Sequence, residues 1–186
     1  MIKQNKIFSD EIKSLLKKMI GCECKKIVHD EFTYTNSVYG QASLFINNKI
    51  FNINNEIEIV EYYGAKEDIA FLGLKEVSID KVRSLLQNKK QIEIPIRKAI
   101  KSIDIVNYHI YVKVDGKEYD NTWTEGIVFN FEDSQIAFER SDSFTEMIEI
   151  YKGYDLISKF TPVEEFGEPF TNPTILKTDS EIITIN

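Results

Sequence analysis

Apolar residues recur every three or four positions over residues 9–21, the spacing that places them on one face of a helix. Ser9 precedes the stripe as a favourable N-cap, and Gly21 follows it where left-handed backbone is tolerated. The pattern predicts an amphipathic helix that packs its apolar face against another element. The apolar positions of the stripe are Ile12, Leu15, Leu16, Met19 and Ile20.

A second stretch with helical spacing follows Ser78, which is a candidate N-cap with Asp80 in the first turn. Lys89 and Lys90 stand at its end, where cations favour a helix C-terminus. The sequence therefore predicts a second amphipathic helix, buried through Ile79, Val82, Leu85 and Leu86.

Most of the remaining chain alternates between apolar and polar residues, the period of a half-buried strand. Asn47-Asn48 and Asp115-Gly116 are typical of hairpin turns, and Asn54-Asn55 predicts a break between strands. Pro95 limits its segment to an edge strand or a linker. The predicted strand segments are 32–39, 43–53, 56–63, 68–74, 103–114, 126–131, 135–139, 147–151 and 155–160.

These elements predict a single α+β domain over residues 1–186. It has about nine or ten mostly antiparallel strands in one or two strongly twisted sheets, with two amphipathic helices packed on a face. The last residues, 167–186, are expected to form an extended C-terminal tail.

The chain also contains a possible tandem duplication, with repeats over residues 8–77 and 78–166. The segments IKSLL (12–16) and VRSLL (82–86) match in residue type, and each is followed by alternating strands and a glycine. The alternative is that two capped amphipathic helices resemble each other by chance.

The composition is that of an ordinary globular protein, with 42% hydrophobic and 28% charged residues among 186. The first residues lack the apolar run typical of a signal peptide, and no stretch of the sequence approaches the roughly 20 apolar residues of a membrane-spanning helix. The chain has two cysteines at C-x-C spacing, which disfavours a bridge between them. We therefore expect a cytoplasmic protein with reduced thiols, and its richness in Ile, Lys and Asn indicates a low-GC bacterial genome.

The net charge of −7 is distributed unevenly. Residues 101–186 hold 7 Lys and Arg against 17 Asp and Glu, a balance of −10. A nucleic-acid binder gains affinity by neutralising phosphates with cations, so this balance predicts no nucleic-acid partner. It favours a basic protein partner or a strongly hydrated surface.

Cys22, Cys24 and His29 fall within eight residues and raise the question of a metal site. Structural zinc takes four ligands, usually as two separated pairs, and the only other histidine is His109. The more economical interpretation is a strand in which both cysteines are small apolar residues and His29 lies near the exposed end. The sequence therefore predicts neither a metal nor a cofactor.

Catalytic signatures are weak throughout the chain. No phosphate-binding glycine loop and no nucleophile elbow occurs, and His109 is expected on a half-exposed sheet face. The many carboxylates leave a carboxylate-dependent hydrolase as a third hypothesis, because glycosidases use a carboxylate pair.

The most distinctive stretch is aromatic and acidic, residues 119–133, and contains the only tryptophan. Rigid aromatics beside acidic residues are typical of interface hot spots. The leading hypothesis is a non-enzymatic bacterial binding protein that presents an acidic face to a basic protein. An immunity or inhibitor protein that neutralises a toxin such as a nuclease is the concrete version. The predicted contact residues are Trp123, Glu125, Glu132, Asp133, Glu139, Asp142, Glu146 and Glu149.

The alternative hypothesis is a structural or small-ligand-binding β-rich domain whose acidic face only solvates it. In that case Tyr62, Tyr63 and Trp123 are expected to line the ligand pocket.

Overall fold

A computed structural model describes residues 1–87, 89–167 and 173–186. Across these ranges the protein is mostly β, with one α-helix, three short 3-10 helices and twelve strands. The helix is α1, Asp10–Lys17. The strands are β1 (Ile2–Lys6), β2 (Glu23–Asp30), β3 (Ser37–Tyr39), β4 (Gln41–Ile46), β5 (Lys49–Tyr62), β6 (Ala65–Val77), β7 (Gln91–Ala99), β8 (Ser102–Val114), β9 (Lys117–Asn130), β10 (Gln135–Arg140), β11 (Met147–Gly153) and β12 (Ile175–Ile185).

The strands form two sheets. The five-stranded sheet has the order β6-β5-β4-β2-β7, and all of its pairs are antiparallel. The seven-stranded sheet has the order β12-β8-β9-β10-β11-β3. Its seventh strand, β1, pairs in parallel with the first half of β9, a part of β9 that β10 does not reach.

The main hydrophobic core takes side chains from both sheets and from α1, including Leu16 and Met19. The helix begins as predicted, since the Ser9 hydroxyl accepts a hydrogen bond from the Ile12 amide. Gly21 follows with a φ of 77°. The prediction of the first amphipathic helix is therefore confirmed.

A second apolar cluster lies between the seven-stranded sheet and residues 154–166, which we term the cover segment. Two 3-10 helices, Leu156–Lys159 and Val163–Gly167, form much of this segment. Its buried side chains Leu156, Phe160 and Val163 pack with the sheet residues Val106, Tyr108, Trp123, Val128 and Ala137. Strands β8, β9 and β10 are thus covered on both faces over part of their length.

The predicted second helix over residues 78–90 is wrong. Only Ile79–Lys81 is helical, as one 3-10 turn, and Ile79 is 66% exposed. The Ser84 hydroxyl accepts from the Leu86 amide and donates to the Asp30 carboxylate. Such side-chain bonds offer the backbone an alternative to helical pairing. Asn88, in the same stretch, lies outside the described residues.

Hairpin predictions from turn chemistry are confirmed at two places. Asn47 joins β4 to β5 with a φ of 50°, and Asp115 and Gly116 join β8 to β9 with φ values of 50° and 74°. Pro95 lies in β7, an edge strand, because proline cannot donate to a neighbouring strand.

Other fold predictions need correction. The described residues contain twelve strands rather than nine or ten. The expected break at Asn54-Asn55 is absent, because β5 runs without interruption through both residues. The tandem duplication is not confirmed, since the helix that would begin the second repeat does not form. Within the tail, residues 175–185 pair with β8 as a regular strand.

None of the described helices is long and apolar enough to cross a lipid bilayer.

Candidate functional site

Three of the eight predicted contact residues are buried and cannot form part of an exposed face. Trp123 is 7% exposed, and Glu125 and Glu139 are essentially inaccessible. They lie on β9 and β10, the strands covered by the cover segment on one face and by the core on the other. The sequence prediction was wrong for these residues because the alternation of a strand does not show that both of its faces are covered.

Glu125 forms a buried ion pair with Arg140 instead. Arg140 Nη2 and Nε lie 3.0 Å and 3.2 Å from Glu125 Oε2, and the Trp123 indole also donates to this oxygen. The Arg140 guanidinium lies 5.1 Å above the Trp123 ring, within cation–π range. Burial raises the pKa of Glu125, whereas the charge and hydrogen bonds of Arg140 act in the opposite direction. This geometry is that of a structural charge pair inside the protein.

Glu139 occupies a separate buried position beneath the cover segment. Its Oε1 accepts a hydrogen bond from the Thr161 amide at 2.6 Å. Burial, together with a smaller effect of the nearby charge of Glu125, raises the pKa of Glu139 to about 7. Its role in the structure is to hold the cover segment against β10.

Asp142 and Glu146 lie on the segment between β10 and β11, and Glu149 lies near the start of β11. Asp142 accepts from the Phe144 amide, and the hydroxyl of Tyr39 on β3 donates to Glu146. This bond raises the pKa of Tyr39, because it favours the protonated phenol. The hydroxyls of neighbouring serines on β3 and after β10 donate to Glu149. Three predicted contact residues therefore share one region.

The β5–β6 hairpin adds to this region from the other sheet. The Ala70 amide donates to the Ser143 carbonyl, and the Asn55 side chain donates to the Met147 carbonyl. These bonds place the outer part of the hairpin, which carries Asp68, beside the segment between β10 and β11. We term the group formed by Asp68, Asp142, Glu146 and Glu149 around Phe144 the acidic surface.

Apolar side chains are exposed within and beside the acidic surface. Phe144 is 58% exposed, and its ring meets the Tyr62 ring edge-on at 5.7 Å. Ile59, directly across the hairpin from Asp68, is 73% exposed. Asp68, Ile59 and Phe144 were not among the predicted contact residues, because the density of acidic residues along the chain does not show which strands meet in space. The alternating glutamates within residues 56–61 were a sequence signal that the β5–β6 hairpin also carries exposed acidic side chains.

Glu132 and Asp133 are exposed but lie apart from the acidic surface. They occupy the turn between β9 and β10, and β10, about 20 Å long, separates them from Asp142. Asp133 is paired with Lys98 at 2.6 Å, which lowers the pKa of the carboxyl. Arg97 and Lys98 line an open cavity of about 330 Å³ together with Glu132 and Asp133. Positive and negative side chains therefore lie side by side at this end of the sheet.

The cysteine and histidine positions differ in part from expectation. Cys24 is buried in the core, as predicted, and Cys22 Sγ donates to the Lys18 carbonyl. His29 is buried rather than exposed, and its Nδ1 lies 2.6 Å from the Asp30 carbonyl. Among the described residues, no group of three or more His, Cys, Asp and Glu side chains could hold a metal ion.

His109 lies on a half-exposed sheet face, as predicted. Its Nε2 is 2.7 Å from Asp120, and Lys3 lies 3.0 Å from the same carboxylate. These two hydrogen bonds lower the pKa of Asp120, with that of His109 the larger effect. His109 and Asp120 border an open groove of about 690 Å³ that also involves residues 177–179 of β12.

The predicted ligand pocket is too small for a metabolite. Tyr62 and Trp123 do border a common cavity together with Arg140, but it measures about 10 Å³, roughly the space of one water molecule. Tyr63 is turned toward Tyr62 and Tyr119, whose rings it meets edge-on. Of the cavities described, a groove beside α1 is the most apolar, with a volume of about 270 Å³.

Comparisons of the chain with protein-family models, with curated proteins and with solved structures found no match.

Proposed function

We propose that this protein is a non-enzymatic binding protein that engages a basic protein partner through the acidic surface. The observation that carries the proposal is the grouping of Asp142, Glu146 and Glu149 in one region that also carries the exposed ring of Phe144. Rigid aromatic anchors surrounded by polar groups are a common arrangement of binding hot spots.

Charge supports a cationic partner. The protein carries a net charge of −7, and the half of the chain that supplies most of the acidic surface has a balance of −10. The nearest arginine in sequence, Arg140, is turned inward and neutralised by Glu125. Complementary potentials steer encounter and raise association rates, an advantage for a protein that must capture its target quickly.

The concrete form of the proposal is an immunity or inhibitor protein that neutralises a cationic toxin such as a nuclease. Many nucleic-acid-cleaving surfaces are basic because they bind phosphates. An acidic surface with an aromatic anchor is suited to occupy such a surface in place of the nucleic acid.

The first experiment identifies the partner. Tagged protein is used to capture proteins from a lysate of its source, with elution in steps of rising salt and identification by mass spectrometry. We expect one basic protein to be released by salt, and its own activity to stop when the purified protein is added in equimolar amount. A partner that remains fully active in the complex would contradict the inhibitor form.

The second experiment assigns the surface. The double variant D142K/E146K reverses two charges of the acidic surface, and the matched control E132K/D133K makes the same change at the opposite end of β10. We expect D142K/E146K to lower the association rate at least about tenfold at low salt, and the control to change it by less than about twofold. Equal effects of the two variants would show that net charge, rather than the acidic surface, governs binding.

A second candidate function, small-ligand binding, is favoured by the groove beside α1. Its walls are mainly apolar and include Lys18, so an apolar ligand with an anionic end fits its chemistry. A fatty carboxylate of medium chain length should then raise the melting temperature. Leu15→Trp, which fills the groove, should abolish the rise, and a rise that persists in this variant would contradict the assignment.

A further inference from the structure

Strand β12 forms an edge of the seven-stranded sheet. Its eleven residues pair with β8 along one side, and no strand within the described ranges pairs with the other side. Most of its side chains are exposed, among them Ile175, Leu176 and Ile182, the last of which is 52% exposed. An edge strand of this length, with exposed apolar residues, is a ready template for pairing with another strand.

The sequence of β12 is complementary to itself when two copies are placed antiparallel about Asp179. Residues whose numbers add to 358 then stand opposite each other. Lys177 faces Glu181 of the second copy, so opposite charges meet directly, and the two-fold axis makes this contact twice. Thr178 faces Ser180, a pair of small hydroxyl residues that fits between adjacent strands.

The apolar residues of β12 also match in this register. Leu176 faces Ile182, and Ile175 faces Ile183 of the second copy. Even-numbered and odd-numbered residues lie on opposite faces of a strand, so one apolar pair falls on each face of the extended sheet. The exposed apolar surface of Ile182 would thereby be covered by a side chain of similar size.

We propose that β12 is the interface of a homodimer, in which two copies pair antiparallel through β12 and join their seven-stranded sheets into one. A symmetric dimer of this kind uses the same surface on both subunits, which is the commonest arrangement of soluble oligomers. A second copy of this chain fits the free edge of β12 because the charged pairs and the apolar pairs match in the same antiparallel register.

Asp179 is the one unfavourable position, since it stands opposite its own copy on the two-fold axis. Its partner on β8 is His109, and Lys177 lies two positions away on the same face of β12. The Lys177 ammonium moderates the repulsion without removing it. Asp179→Asn is therefore expected to strengthen the dimer, an effect that a surface charge outside the interface would not produce.

Charge exchange tests the register. The variants K177E and E181K each turn two attractive contacts into repulsive ones, and we expect each to weaken dimerisation by about tenfold or more. The double variant K177E/E181K restores opposite charges in reversed order, and should return the dimerisation constant to within about threefold of the wild type. K152E, on β11, makes the same charge change away from the edge and serves as the control.

Sedimentation equilibrium over a series of protein concentrations measures the dimerisation constant, and circular dichroism verifies that the variants fold. A monomeric wild type at the highest concentrations would overturn the proposal. A dimer unaffected by either single exchange, or a double exchange that fails to restore it, would also overturn it. None of these variants touches the acidic surface, so the outcome is independent of the proposed function.

Discussion

Arg140 Nη1 donates a hydrogen bond of 2.9 Å to the backbone carbonyl of Ala70. The same guanidinium pairs with Glu125 on β9, so one side chain connects the seven-stranded sheet to the edge strand of the five-stranded sheet. The Ala70 amide donates to the Ser143 carbonyl, so β6 is also bonded to the segment that follows β10. The acidic surface is assembled where these bonds hold β6 against the segment that follows β10.

Replacing Arg140 by methionine should therefore destabilise the fold strongly. The Glu125 carboxylate would lose its cation while remaining buried, and uncompensated buried charges of this kind cost about 3–5 kcal/mol. Urea denaturation of R140M should show a loss of this size in the free energy of unfolding.

The double variant R140M/E125L is the control for this prediction. Removing both charges leaves apolar groups of similar volume, so the loss should be smaller than in R140M. A double variant as unstable as R140M would show that the hydrogen bond to Ala70, which both variants lose, rather than the charge pair, is the main contribution.

Glu139 should make stability depend on pH. Its pKa is raised by burial from an ordinary value of 4.5 to about 7, so the folded protein binds more protons than the unfolded chain between these values. The free energy of unfolding should then fall as pH rises from 4.5 to 7, by at most roughly 3 kcal/mol, and this contribution should be constant above pH 7.

Glu139→Gln isolates this effect. Burial lowers the pKa of His29, which contributes an opposite slope in part of the same range, so the comparison must be between E139Q and the wild type. We expect the wild type to lose stability relative to E139Q between pH 5 and pH 8 in urea titrations. Parallel profiles for the two proteins would refute a raised pKa, and E132Q, an exposed change, should follow the wild type.

Gly126 permits the close approach of the cover segment to β9. A Cβ at this position would lie 2.3 Å from the Phe160 ring and 2.8 Å from the Phe138 carbonyl oxygen. Gly126→Ala should therefore displace the cover segment and cost about 1–3 kcal/mol, the usual range for overpacking. In Gly73→Ala the new Cβ meets only the flexible Glu56 side chain, and thermal unfolding should show a much smaller change.

The two thiols should react at different rates. Cys24 lies in the core, and burial raises the pKa of its thiol to about 12, whereas Cys22 is partly exposed. A thiol reagent at pH 8 should modify one cysteine of the folded protein quickly, and the second only at the rate of opening of the fold. Equal rates for both would contradict the core position, and the single variants C22S and C24S identify which thiol reacts.

Local sequence signals predicted the elements that local physics decides. The helix after Ser9 forms because cap, apolar stripe and terminal glycine agree, and the hairpin at Asp115-Gly116 forms because its residues tolerate positive φ. The helix predicted after Ser78 does not form, because helical spacing of apolar residues does not by itself provide a surface on which they can pack. There Ile79 is exposed, and the Ser84 hydroxyl takes the place of helical bonds.

The residues of the candidate site were predicted only in part, because sequence signals report on neighbouring residues and not on what packs over them. The carboxylates of residues 142–149 cluster along the chain, so their grouping could be inferred from sequence. The inward position of Glu125 and Glu139 could not, since it depends on the cover segment that follows them by some twenty residues or more.

The sequence by itself determined the strand-rich composition, the capped helix, the hairpin turns and the acidic balance of the second half, because each depends on neighbouring residues or on composition. The tertiary structure alone decided which carboxylates are buried beside Arg140 and which lie around Phe144. The physical reason is that a side chain's exposure depends on what packs over its strand. In this protein those covering elements come from distant parts of the chain.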